Sequence, residues 1–188
     1  MHRDLKLIQK IIKKGSEEAA NELVSRYYRE IYHYVYKQTL DQEQSKDLTQ
    51  EIFINMLHGL HQFEGKRALF RTWLYKIATY KIVDYYRSKH YKASRRMADI
   101  EDLEIGSHED SSESILQKEE IEAVLAVLGR MEASYQQIFR MKLFGEQTFQ
   151  EIASSLQVPE STVKTKYYRS LKFIREEAKK EGFTHAER

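Results

Sequence analysis

A single proline, Pro159, interrupts 188 residues, and only seven glycines accompany it. Chains that turn repeatedly between strands use both residues heavily. One that lacks them and is rich in Leu, Ile, Glu, Lys and Gln is suited to helix. The expected fold is therefore all-α, and the position of the one proline says the most about it. It falls between two helical patterns in GEQTFQEIASSLQVPESTVKTKYYRSLKFIREEAKK, residues 145–180. Thr148 and Glu151 stand three apart, the spacing of a capping box, in which the hydroxyl takes an orphan amide and the carboxylate reaches back. Phe149, Ile152, Ala153 and Leu156 then give a short helix one apolar face. The step Gln157, Val158, Pro159 leaves room only for a tight connection to a second, longer helix. The pattern is that of a helix-turn-helix.

Turning the second helix by its own period puts Val163, Tyr167, Ser170, Leu171, Ile174 and Ala178 on one stripe, which faces the core. The opposite arc carries Ser161, Lys164, Thr165, Tyr168, Arg169, Lys172 and Arg175, with Thr162 at its border. Hydroxyls and cations in this mixture suit base edges and phosphates in a major groove. A solvated charged face would explain the same cations, so the motif alone leaves both readings open.

The net charge of +2 is too small to indicate nucleic acid by itself. Its distribution is more informative. Residues 99–120 are strongly acidic with Lys118 as their only cation, whereas 87–96 and 164–180 are rich in Lys and Arg. Between Met97 and Ser114 apolar periodicity is lost and serine and acid dominate. This divides the chain into a helical domain at 1–96, a flexible acidic linker at 97–114 and a second helical domain at 115–188. The absence of cysteine excludes disulfides, thiolate zinc sites and cysteine nucleophiles, and suits a reducing cytosol. No apolar run approaches a membrane span and the start MHRDLKLIQK lacks a signal-peptide core, so a soluble cytoplasmic chain without membrane insertion is expected.

In the first domain, Leu5, Ile8, Ile11 and Ile12 predict a helix stopped at Gly15. Ser16 caps a second, with Ala20, Leu23, Val24, Tyr27, Ile31 and Val35 on its apolar face. Asp41 caps a third, which extends to about His61. Leu48, Ile52, Phe53, Met56, Leu57 and Leu60 form its inner arc. The outer arc holds Asp47, Gln50, Glu51, Asn55 and His58, with Ile54 among them. An aliphatic anchor inside a polar, acidic ring is the layout of an interface for a basic partner. A lone exposed isoleucine is the plainer alternative. A loop at Glu64 to Lys66 then leads into a long helix with Phe70, Trp73, Leu74, Ile77, Ala78, Ile82 and Tyr85 inside. Lys76, Tyr80, Tyr86, Arg87 and His90 project elsewhere. Rings alternating with cations, beside loop residues Phe63, Glu64, Lys66 and Arg67, suit strand-separated DNA, where rings stack on bases and cations hold phosphates. Snorkelling side chains on a solvated helix would look the same. The second domain opens with Ile121, Val124, Leu125 and Leu128. Ser134 with Gln137 then repeats the capping-box pattern ahead of Tyr135, Ile138, Phe139 and Leu143.

The wording and order of three blocks resemble the extracytoplasmic-function group of sigma-70-type sigma factors. DLTQEIFINML resembles that family's polymerase-core-binding helix, FRTWLYKIATYKIVDYYR its promoter-melting helix, and TFQEIASSLQVPESTVKTKYYRSLKFI its helix-turn-helix. The resemblance implies two helical domains, no catalytic activity or cofactor, and a role in directing RNA polymerase to promoters. Its partners would be core RNA polymerase, promoter DNA and an anti-sigma factor, which can be membrane-bound. Carried over by position are Asp47, Gln50, Glu51 and Phe53 for core binding, Trp73 and Asp84 in the second block, and Thr162, Val163, Lys164 and Arg169 in the third. Tyr80 stands where the family often has asparagine, and Thr79 where a basic residue is common. An enzyme would have to use Glu51, His58 and His61 as metal ligands. Glu51 lies almost two turns from His58, and no water-activating carboxylate accompanies them. A free-standing repressor would leave the Asp47 to Leu60 helix unexplained.

Overall fold

The structure is a computed structural model that describes residues 2–65, 68–96 and 112–180, and the side chains of 3–65, 68–88 and 120–180. Lys66 and Arg67, the stretch 97–111 that holds most of the acidic linker, and the tail from 181 lie outside the described residues, as does the side chain of His90. All described elements are helical: α1 (His2–Lys14), α2 (Glu17–Thr39), α3 (Gln42–Gly59) with a 3-10 turn at Leu60–Gln62, α4 (Phe70–Arg96), α5 (Ser112–Gly129), α6 (Ala133–Leu143), α7 (Phe149–Leu156) and α8 (Glu160–Lys180). The backbone of α5 thus takes in the last three residues of the expected linker, 112–114.

Short polar signals set most of the boundaries. Gly15 ends α1 at a φ of +59°, and Ser16 accepts the Ala19 amide at 3.3 Å to start α2. Asp41 accepts the Gln44 amide at 3.0 Å to start α3. At the head of α7 both halves of the Thr148–Glu151 capping box are present. The backbone hydrogen bond from Thr148 holds the Glu151 carboxyl below the usual carboxylate range. The second capping box expected from the sequence does not form. Glu132 is the N-cap of α6 without a side-chain bond, so Ser134 already lies inside the first turn. Its hydroxyl instead donates to Glu132 at 2.9 Å and accepts from Lys166 of α8 at 2.6 Å, tying two helices together. Gln136, which is buried, closes the preceding turn by donating to the Gly129 and Met131 carbonyls.

Two cores result. In the first domain Leu23, Ile31, Val35, Ile52, Met56, Leu60, Leu74, Ala78 and Ile82 are almost fully removed from solvent between α2, α3 and α4. Leu7 and Ile8 of α1 cover one end. Each large aliphatic residue contributes about 1.5–3 kcal/mol on burial. In the second domain Leu125, Leu128, Phe139 and Ile174 join α5, α6 and α8, while Ile138, Met141, Ile152 and Val163 hold α7 against α6 and α8.

The two domains are in contact along α4. Phe70, Leu74, Ala78 and Ile82 face the first core, yet Thr72, Tyr75, Thr79 and Val83 on other sides of the same helix are also buried. The Ser155 hydroxyl of α7 reaches the Thr72 carbonyl at 3.4 Å, and the Lys37 ammonium lies 3.6 Å from Glu146. Arg140, in the middle of α6, is completely buried. It donates to the Gln38 side chain at 2.9 Å, with its guanidinium 4.7 Å from the centre of the Tyr86 ring. Tyr86 in turn donates to the Gln38 carbonyl. Gly145 sits where the chain passes closest: a Cβ there would lie 2.7 Å from the Met141 carbonyl oxygen and 3.1 Å from the Tyr75 ring. Gly145→Ala should therefore displace the end of α6 from α4 and destabilise the protein by roughly 1–3 kcal/mol, read as a lower midpoint in urea unfolding.

Candidate nucleic-acid and polymerase interfaces

The helix-turn-helix is assembled as its sequence pattern requires. Gln157 takes a left-handed φ of +58° after α7, and Pro159 immediately precedes α8, whose first turn needs no proline amide. Val163 and Ser170 are fully buried and Ile174 nearly so, which fixes the rotation of α8. Ser161, Lys164, Thr165, Tyr168, Arg169 and Lys172 are consequently exposed, and Thr162 is half-buried at the border. Tyr168 is the exposed aromatic ring among them, at 59% exposure. Some of these groups already have partners. Thr165 donates to the Ser161 carbonyl at 2.8 Å, and Lys164 pairs with Glu160 at 2.7 Å, a carboxylate that raises the lysine's affinity for its proton. A DNA phosphate would compete with that exposed pair, which is weakly held in water.

On α3 the outer arc is also as expected. Asp47, Gln50, Glu51, Asn55 and His58 are exposed around Ile54, which shows 52% of its surface. Two of the residues carried over for core binding are also tied into the molecule. Phe53, on the inner arc as its spacing predicts, is only 5% exposed and stacks on Tyr28 at 5.9 Å, so it supports the outer arc from beneath. Glu51 is held by Lys81 of α4, so its charge is partly spent within the molecule. Among the described residues no cluster of three or more His, Asp or Glu side chains could hold a metal ion.

The long helix divides differently from its sequence pattern. Tyr80 (41% exposed) and Arg87 are open, and Lys76 is half-buried with its ammonium 5.9 Å from the Tyr80 ring centre. Tyr86, expected on the same open surface, is turned into the contact between domains. Burial there pushes its hydroxyl up to about 12. Thr79 is buried too, bonded to the Tyr34 hydroxyl at 2.8 Å and donating to the Tyr75 carbonyl at 2.6 Å. Phe63 folds against Phe70 and Trp73 with ring centres 5.5 and 5.2 Å away. It joins Glu64, Gly65, Trp73 and Lys76 in lining a cleft of about 260 Å³, whose opposite wall is Ser154, Ser155 and Gln157 of the second domain. Lys66 and Arg67 lie outside the described residues. Arg140, Gln38 and Thr72 were not singled out by sequence. The available signal was Arg140 itself, a cation between Phe139 and Met141 where the helix pattern turns inward.

Residues 23–92 match the family model described as Sigma-70 region 2, and residues 121–174 match Sigma-70, region 4, together more than half of the chain. The chain belongs to the sigma-70 family of RNA polymerase sigma factors. Within it, the relatives mark the extracytoplasmic-function group. The ECF RNA polymerase sigma factor SigX of Bacillus subtilis (strain 168) is 29% identical over 163 residues, covering 85% of this chain and 83% of that one. RNA polymerase sigma factor YlaC of the same organism is 28% identical over 153 residues, covering 81% and 88%. The fold is similar to the solved structure of CnrH in complex with the cytosolic domain of CnrY, with a TM-score of 0.60 and 18% identity over 92% of this chain and 95% of that one. α3 and most of α4 fall in region 2 of this sigma factor, and α6, α7 and most of α8 in region 4. None of the described helices is long and apolar enough to cross a membrane.

If the exposed arc of α8 reads the promoter, Arg169→Ala should weaken binding to a cognate duplex about tenfold where the residue contacts a base. Lys164→Ala should flatten the salt dependence where it holds a phosphate. Fluorescence anisotropy over a salt series distinguishes the two effects.

Proposed function

We propose that this sigma factor works as three separate surfaces on one chain. The arc of Asp47, Gln50, Glu51, Asn55 and His58 around Ile54 docks core RNA polymerase. The α8 arc from Ser161 to Lys172 reads the upstream (minus 35) promoter element. The loop at Phe63 and Glu64, with Lys66, Arg67, Lys76, Tyr80 and Arg87, receives the strands of the downstream (minus 10) element as they part. The protein supplies no catalytic group of its own and acts in the cytoplasm, where polymerase and promoters are. Tyr86 belongs to the third surface only once the domains have separated. The reading also places the domain boundary in the acidic stretch 97–114. An anti-sigma factor is the natural regulator, as CnrH is found with the cytosolic domain of CnrY.

The observation that carries this reading is the exposed Ile54. Water contact with a large aliphatic side chain is unfavourable, and burial against a partner would recover roughly 1.5–3 kcal/mol while the surrounding carboxylates select a basic surface. The setting of Ile54 among Asp47, Gln50, Glu51, Asn55 and His58 favours a protein partner over a chance exposed side chain such as Ile12, which is 49% exposed. Ile54→Glu should abolish capture by core polymerase while leaving the helical circular dichroism spectrum and the duplex affinity of the second domain intact. A folded Ile54→Glu variant that still binds polymerase fully would move the interface elsewhere.

A further inference from the structure

The contact between the domains centres on a cation that is poorly provided for. Arg140 is entirely buried, and of its guanidinium nitrogens one, Nη1, has a partner, the Gln38 Oε1 atom at 2.9 Å. Nε and Nη2 have no hydrogen-bond partner. The Tyr86 ring faces the guanidinium at 4.7 Å, no carboxylate pairs with it among the described residues, and burial makes it easier to deprotonate than usual. Removing a cation from water costs several kcal/mol in proteins even after relaxation, and one hydrogen bond and one ring face do not offset this in full. The remaining polar ties across the contact are weak. The Ser155 to Thr72 bond is long at 3.4 Å, and the Lys37–Glu146 pair is largely exposed.

What this contact covers is functionally one-sided. The second domain supplies Ser154, Ser155 and Gln157 as a wall against Lys76 and the Phe63 loop, and Tyr86 is turned inward beneath Arg140. The reading arc of α8 and the Ile54 face of α3 both remain open. Closure is thus compatible with finding the upstream element or meeting polymerase, and it walls in one part of the surface assigned to parted strands, Lys76 with Phe63, while Tyr80 and Arg87 stay open.

We propose that Arg140 is a built-in weak point in an intramolecular closure: the second domain lies against the strand-receiving side of α4, and the unmet hydrogen bonds of Arg140 keep that closure weak enough to be released during initiation. The functional half of this inference rests on the function proposed above. The closure itself does not. Two substitutions should act in opposite directions. Removing the acceptor while keeping the cation, Gln38→Leu, strands the charge and should open the domains. Removing both, Gln38→Leu with Arg140→Met, replaces an unsatisfied polar pair by apolar side chains and should close them further.

The chain has no cysteine, so Ser25→Cys and Ala126→Cys, both exposed and one in each domain, take a donor–acceptor dye pair without background labelling. In the full-length protein, Gln38→Leu should raise the open population about tenfold and lower energy transfer. The double variant should raise transfer to or above the parent level. With core polymerase and a promoter, the double variant should form open complexes about tenfold more slowly at limiting sigma factor, and Gln38→Leu should not. Circular dichroism checks folding. If Gln38→Leu unfolds the first domain, Tyr86→Leu, which removes the ring from the guanidinium, should open the contact in its place. A double variant that opens as the single one does would overturn the weak-point role, because Arg140 would then be a net stabiliser of the contact. Transfer unchanged in every variant would overturn it as well. Dye behaviour as expected in a chain that supports no initiation would leave the closure standing and remove its role in transcription.

Discussion

Burying α4 on more than one side is the constraint from which the rest of this structure follows. A helix at the edge of a bundle needs one apolar stripe. This one carries Leu74, Ala78 and Ile82 on that stripe and, around it, Thr72, Tyr75 and Thr79, which are just as deeply buried. The Tyr75 and Thr79 hydroxyls can be buried because each has a partner. Tyr75 donates to Glu30 at 2.9 Å, Thr79 meets Tyr34, and the Thr72 carbonyl accepts from Ser155. Desolvation pushes the Tyr34 hydroxyl up to about 12 and raises that of Tyr75 further, so both stay protonated donors throughout the physiological range. The helix is thereby fixed in the first domain by apolar packing and meets the second through a mixture of polar groups and the rings of Tyr86 and Phe144, which pack against both cores, the mixed chemistry of a contact that can part.

The same division explains how the functional surfaces stay separate. On α3 and α8 the inner faces are set by fully buried residues, Ile52 and Met56 in one and Val163 and Ser170 in the other, so the opposite arcs must point outward. Each arc then has its own chemistry: a polar, mildly acidic ring with Asp47 and Glu51 around an aliphatic anchor on α3, and hydroxyls with cations on α8. The first suits a basic protein surface and the second a polyanion. Their charges are opposite, which disfavours exchange of the two ligands between the two surfaces.

The sequence made the elements and their inner faces legible because helical period and capping are local properties. Thr148 with Glu151, Ser16, Asp41 and Gly15 mark boundaries through bonds made within a few residues. The outward position of Ile54 follows from the rotation that Leu48, Ile52 and Met56 impose. Ser134 misled because a capping pair can also fall one turn into a helix, and only the Lys166 ammonium from α8 shows which use is made of the hydroxyl. Tyr86 and Arg140 could not be read for a related reason. A tyrosine at helical spacing and a cation beside an apolar stripe are both ordinarily solvated. Their burial depends on a contact between residues 102 positions apart, as Arg140 and Gln38 are. Periodicity carries no information about which faces of two separate domains will meet.

The account rests most heavily on one claim, that a single chain both recognises a duplex and, with polymerase, receives its separated strands. Permanganate reactivity of thymines on a cognate promoter tests this most directly. With core polymerase and the full-length chain together, thymines of the downstream (minus 10) element should become reactive, and with either alone they should not. Protection of the upstream element by the chain, with no polymerase-dependent reactivity downstream, would contradict the account and leave a duplex-binding regulator in its place.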